Sequence, residues 1–343
     1  MESKVNGDNN TIVQINGISY SEAKEICKDI VTAELNNYKK EAQQIAIQRQ
    51  QTLTNRFLDI LNEKNVTDKQ VLDELKNPDM QFCLREAQIA YMRHGTNELE
   101  NVLSNILADR LVENDRTTLQ IALSEAIKTA PLLLPEHLDI LSLAFIFRYT
   151  KTLNIRNIKS FVYQFTPFII NLSKLLKGLD IHDLFYMISH IEYTKCGVKQ
   201  LKSENIVEHI SETYSGIFMK GFSSEEIKNL FANSEIPDIF IRHYQNSELM
   251  QINACDEDDL ENILTSYSKE TQEKIKQLFK ANRLATNQVK ELLIKAMPEF
   301  KDLLDIWEKG IDKLSLTSVG IILGRMNLKK FNKDDFDMKI WIK

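Results

Sequence analysis

From Ala23 to Leu61, apolar side chains recur at steps of three and four: Ala23, Ile26, Cys27, Ile30, Val31, Leu35, Tyr38, Ala42, Ile45, Ala46, Leu53, Phe57, Ile60 and Leu61. Steps of that size line one face of a helix. No Gly or Pro interrupts the chain between Gly17 and Pro78. Ser21 suits an N-cap, and Glu22 and Glu25 place carboxylates where the helix dipole favours them. One helix over about 21–63 is therefore predicted, roughly 60 Å long at 1.5 Å per residue. Between Tyr38 and Leu61 the spacing approaches a heptad seam, while EAQQIAIQRQQTLTN (41–55) is polar over most of its surface. Such a helix lies across others of its own domain or pairs with a second copy of itself. Tyr38, Ala42, Ile45, Leu53, Phe57 and Leu61 are the residues expected to carry self-association.

Helical patterns continue downstream. Thr67 caps DKQVLDEL, and Asn97 with Glu100 has capping-box spacing. RTTLQIALSEAIKTA (116–130) is amphipathic, and Pro135 precedes HLDILSLAFIFRYT at a first-turn position. Pro167, inside an apolar run, predicts a kink or break. HDLFYMISHIEYT and SENIVEHISETYSGIF read as helices. After Gly221, Ser223 and Glu226 form a capping box, and helices are expected over 223–232, 237–244, 258–267, 269–281, 287–297, 299–310 and 316–329.

The two ends differ. NTIVQIN (10–16) and FDMKIWIK (336–343) alternate with period two, the pattern of a half-buried strand. A lone strand leaves its backbone groups unpaired, so the two are expected to pair, with Val13 and Ile15 against Met338 and Ile340. The fold class that follows is mostly α: a multi-helix assembly with a long N-terminal helix and a small two-stranded element joining the termini. Its parts are an Asn-rich leader with a short strand (1–20), the long helix (21–65), a central helical domain (66–221) and a C-terminal helical domain ending in a strand (222–343).

Composition narrows the functions. The 343 residues contain only 10 Gly and 6 Pro, in keeping with long helices. A net charge of −6 with mixed signs disfavours general nucleic-acid binding, which needs a basic excess. Cys27, Cys83, Cys196 and Cys255 form no paired zinc spacing and read as reduced thiols of a cytoplasmic protein. No signal peptide is visible. LSLAFIF (141–147) and FTPFIINLSKLL (165–176) are shorter than the roughly 20 apolar residues of a membrane span.

Nucleophile elbows, phosphate-binding loops and zinc-protease motifs are absent from the sequence, so no catalytic residue, metal site or cofactor is expected. His182 and His190 share a helix with Asp183 but stand about two turns apart, too far for one metal ion. CDEDDLEN (255–262) lacks the Gly and ligand alternation of a calcium loop and reads as acids at a helix start. The segment from Leu316 to Lys343 joins a short helix bearing Arg325, Lys329 and Lys330 to a turn and a strand, the order found in a winged helix. Its helix is largely apolar, with Gly320 and Gly324 four apart. That suits close packing, and leaves nucleic-acid contact by those three cations as the alternative.

GDNNTIVQ, GISYSEAKEIC, the stretch from Ala108 to Thr150 and LTSVGIILGRMNLKK with a terminal MKIWI together resemble an uncharacterised family of bacterial proteins of similar length. Its signatures are G-D-N-x-x-x-x-Q, a G-[IL]-[ST]-Y-[ST]-E helix start, and L-T-x-V-G followed by I-W-[IL]. The resemblance implies a bacterial, cytosolic protein and supplies no catalytic residues. The Asn-rich opening also resembles short amyloid-signalling motifs of bacterial conflict and immunity proteins, whose stacked strands form Asn and Gln ladders. The function expected is a non-enzymatic interaction or sensor protein acting by helix-mediated self-association, in a bacterial defence setting, with a homo-oligomer or another protein as partner. The alternative is a DNA-binding regulator.

Overall fold

The computed structural model describes residues 20–35, 39–113, 115–153, 155–176, 179–231, 236–331 and 337–343. The predicted N-terminal strand with Val13 and Ile15, and Tyr38, lie outside them. The described chain is mostly α, with two small two-stranded sheets. It divides into two compact units. One runs to Leu132 and includes the C-terminal segment; the other spans Leu133–Asp335.

The first unit contains α1 (Tyr20–Asp29), α2 (Thr32–Leu35), α3 (Lys40–Glu63), α4 (Asp68–Leu75), α5 (Pro78–His94), α6 (Asn97–Val112) and α7 (Thr118–Thr129). The single helix predicted over 21–63 is thus broken, and α1 packs back against α3 and α4. The break has a visible cause. The Val31 N–H bonds the Lys28 carbonyl at 3.3 Å, leaving the Cys27 carbonyl without the helical partner it would have. Two buried amides take it instead: Gln88 Nε2 donates to it at 3.0 Å and Gln50 Nε2 at 3.5 Å. A buried carbonyl needs such partners, and here they tie α1 to α3 and α5.

The predicted C-terminal strand is also corrected. Met338–Ile340 form a single 3-10 turn, with the Asp337 carboxylate accepting the Lys339 N–H at 2.9 Å. A strand would put Met338, Ile340 and Ile342 on one face. The turn buries Met338 and Ile342 and leaves Ile340 exposed. Lys339 pairs with Glu113 at 2.9 Å within this unit.

The second unit contains α8 (Pro135–Arg148), α9 (Ile158–Leu176), α10 (Ile181–Tyr193), β1 (Gly197–Lys199), α11 (Ile206–Thr213), α12 (Ser224–Leu230), β2 (Phe240–Arg242), β3 (Met250–Ile252), α13 (Glu257–Leu264), α14 (Lys269–Ala281), α15 (Thr286–Ala296), α16 (Phe300–Glu308), β4 (Leu314–Leu316) and α17 (Ser318–Leu328). β1 pairs antiparallel with β4 and β2 with β3, so the two-stranded elements lie inside this unit. Residues 237–244, predicted helical, supply β2 instead. Ile239 and Ile252 are buried in a separate core with Met219, Phe222 and Phe279, and β-branched residues suit that pleated, half-covered surface. The soft sequence boundary near 221 lies inside this second unit.

α9 continues through Pro167 rather than breaking. The rung that Pro cannot close lies on the solvent side, where Pro167 and Tyr163 are exposed, so water can satisfy the freed carbonyl. α8 and α17 pack against each other along their length. Gly324 makes it feasible: a Cβ there would sit 2.7 Å from the Leu141 carbonyl oxygen. At Gly320 a Cβ would come within 1.8 Å of the Cys196 carbonyl oxygen.

Candidate interaction surface

Two places in the second unit gather unusual surface chemistry. The first is a cleft of about 590 Å³, whose lining includes Arg148, Lys151, His209, Asp256, Glu257 and Arg283. Its cations are matched one by one. Arg148 Nε meets Glu204 Oε2 at 2.9 Å, Lys151 Nζ meets Asp256 Oδ2 at 2.7 Å, and Arg283 pairs with Glu257. Arg148 also donates to the carbonyls of Ile311 (3.0 Å) and Asp312 (2.6 Å) and lies 5.0 Å from the Trp307 ring, so it pins the turn leading into β4.

Electrostatics follow from these pairs. The hydrogen bond from His209, at 3.1 Å, and then the Arg148 charge hold the Glu204 carboxyl below its ordinary range. Burial works against the Lys151 charge, but hydrogen bonds with Asp256 and Asp258 outweigh it and raise its pKa. Burial pushes the nearby Cys255 thiol up to about 11, with Asp259 adding to the effect, so it is not a ready nucleophile at neutral pH. Internally neutralised charges of this kind hold elements together, and the acidic run 255–262 does that work: Asp256 caps α13 while pairing with Lys151.

The second place is α10. Asp180 caps it, accepting from the N–H groups of His182 (2.7 Å) and Asp183 (2.8 Å). Leu184, Ile188 and Ile191 face inward and are buried. The solvent side carries large apolar groups too: Ile181, Phe185, Tyr186 and Tyr193 are 57%, 56%, 71% and 82% exposed. A surface helix ordinarily keeps such groups to its core-facing stripe; this one does not. The open face is ordered by its own contacts. Phe185 and Tyr186 meet edge to face at 5.9 Å, and Tyr193 stacks on His190 at 6.1 Å, which stacks in turn on His137 at 4.8 Å.

A family model matches residues 17–342 and is that of an uncharacterised family. The chain belongs to that family. No curated relative and no solved structure matches it.

The residues singled out from this family member's sequence are not brought together. Leu53, Phe57 and Leu61 are buried in the first unit's own core, where α3 packs on α5 and α6, so they are not available to a second copy. Ala42 and Ile45 remain exposed. Arg325 is 3% exposed on a helix buried throughout, and Lys330 Nζ bonds the fully buried Asp139 carboxylate at 2.6 Å. That helix is core, as its apolar content and two glycines suit; in the alternative reading Arg325 would have to reach a phosphate, and it is buried, while Lys329 is half-buried at the helix end. His182 is exposed, while His190 is half-buried in the ring stack. Among the described residues no cluster of His, Cys, Asp or Glu is placed to hold a metal ion, and no helix is long and apolar enough to cross a membrane.

Sequence reasoning missed the α10 face, although a signal was present. HDLFYMISHIEYT carries more large apolar residues than the one stripe of Leu184, Ile188 and Ile191 needs. One side must then lack cover unless neighbours surround it, and only the packing reveals which side.

Proposed function

We propose that the protein is a non-enzymatic interaction protein that works through helix-mediated self-association. The observation that carries this reading is the exposed row of Ile181, Phe185, Tyr186 and Tyr193 along α10. A contiguous apolar face of this kind marks a surface that is covered in the working state. The paired charges of the cleft add support, because each cation there already has its carboxylate. The defence setting rests on the Asn-rich opening alone and stays with that resemblance. Sedimentation of the full chain over a concentration series from nanomolar to tens of micromolar tests the reading. A mass that rises to a defined multiple of the monomer is expected; a monomer throughout the range contradicts it.

A further inference from the structure

Resting on that reading, we infer that α10 is the dimer contact, formed by two copies packing this helix antiparallel across a two-fold axis near Met187. Ile181, Phe185, Ser189 and Tyr193 recur every fourth residue and make one ridge on the outward side of α10. His182 and Tyr186 lie beside it, and all but the half-buried Ser189 among these six are exposed.

A two-fold contact must be self-complementary, each residue meeting one that meets it back. About Met187, antiparallel pairing sets Ile181 opposite the partner's Tyr193, an apolar pair. Phe185 falls opposite the partner's Ser189, large against small, as a ridge needs a gap. A parallel arrangement would instead oppose Phe185 to Phe185 and Glu192 to Glu192. The sequence of α10 is therefore matched to itself in one orientation only.

Size and rigidity agree. Fully burying an aromatic removes roughly 150–250 Å²; the exposed shares of Phe185, Tyr186 and Tyr193, with Ile181, leave roughly 400–600 Å² per partner to cover, the size of a weak, reversible contact. Tyr193, Phe185 and Tyr186 are already held by ring contacts, so little freedom is lost on docking. A second copy also fits the charges better than an anionic lipid surface or nucleic acid would. The ridge carries no Lys or Arg, and its neighbours Asp183 and Glu192 are acidic.

The test mixes two variants of the full chain, Phe185→Cys and Ser189→Cys, under mild oxidation. Cys27, Cys83 and Cys196 are buried, and the half-buried Cys255 is replaced by Ser in both variants. The mixed disulfide should form several-fold faster than either self-linked product. Phe185→Glu should raise the dissociation constant at least about 30-fold, as for a central anchor. If a dimer forms but ignores these substitutions, self-association stands and the α10 contact is overturned. Preferential self-linking of either cysteine variant overturns the antiparallel arrangement. A monomer at every concentration removes both readings. Phe185-dependent binding to phosphatidylglycerol vesicles or to an oligonucleotide by a chain that never dimerises assigns the face to that ligand and overturns the proposal.

Discussion

The imidazole of His190 lies 4.8 Å from that of His137, with the rings inclined by 28°. His137 is nearly buried, and its Nδ1 accepts the Leu134 N–H at 2.9 Å at the start of α8. Protonation at Nδ1 would remove that bond. Burial, and then the neighbouring His190, push the His137 pKa down to about 4 from an ordinary 6.5.

A pH dependence follows from this pair. Between about pH 4 and 6.5 the unfolded chain binds a proton at this position more readily than the folded one. Stability must therefore rise with pH across that window, be complete above 6.5 and fall as the pH drops toward 4. The contribution is of the order of 2 kcal/mol. Urea unfolding at several pH values should show that slope in the natural chain and a shallower one in His137→Phe.

The Asp139 and Lys330 pair predicts an asymmetry. Asp139 Oδ1 also accepts from Asn327 Nδ2 at 2.7 Å, deep between α8 and α17. Lys330→Met strands a buried carboxylate and should cost roughly 2–4 kcal/mol, because removing one partner leaves the other charge uncompensated. Adding Asp139→Asn should recover most of that loss. Equal losses in the single and double variants, measured by chemical denaturation, would show that the pair is not coupled.

Gly320 should tolerate no side chain. The Cβ of Gly320→Ala would collide with the Cys196 backbone oxygen, which has no flexible side chain to move aside. The expected loss is about 1–3 kcal/mol or more, seen as a lowered thermal midpoint.

Gln88 anchors α1. Gln88→Leu removes the 3.0 Å bond to the Cys27 carbonyl and the 3.3 Å bond to Thr54. It should cost roughly 1–3 kcal/mol, and hydrogen exchange should show α1 losing protection before α5.

What could be read from the sequence was local. Thr67 caps α4, and Ser223 with Glu226 forms the box that opens α12, because such caps depend on residues three apart; the box read at Asn97 and Glu100 is displaced, since Thr96 caps α6 and accepts the Leu99 N–H at 3.4 Å. α14 occupies residues 269–281 as its amphipathic spacing predicts. The mostly α class followed from the same local rules. Non-local events were not legible. The end of α1 depends on amides 23 and 61 residues away. Arg325, Lys329 and Lys330 look like a binding set until packing buries Arg325 and brings Asp139, 191 residues away in sequence, against Lys330. Alternation in FDMKIWIK suggested a strand, yet Asp337 caps a turn there. The open face of α10 depends on which neighbours fail to cover it, and no periodicity in the helix records that.

The central claim is that the chain self-associates through α10 and not through the helix at 40–63. Sedimentation velocity of the natural chain, Phe185→Glu and Ile45→Glu, run side by side at the same micromolar concentrations, tests it most directly. The account predicts a dimer for the natural chain and for Ile45→Glu, and a monomer for Phe185→Glu. A dimer that survives Phe185→Glu and is lost in Ile45→Glu would contradict it.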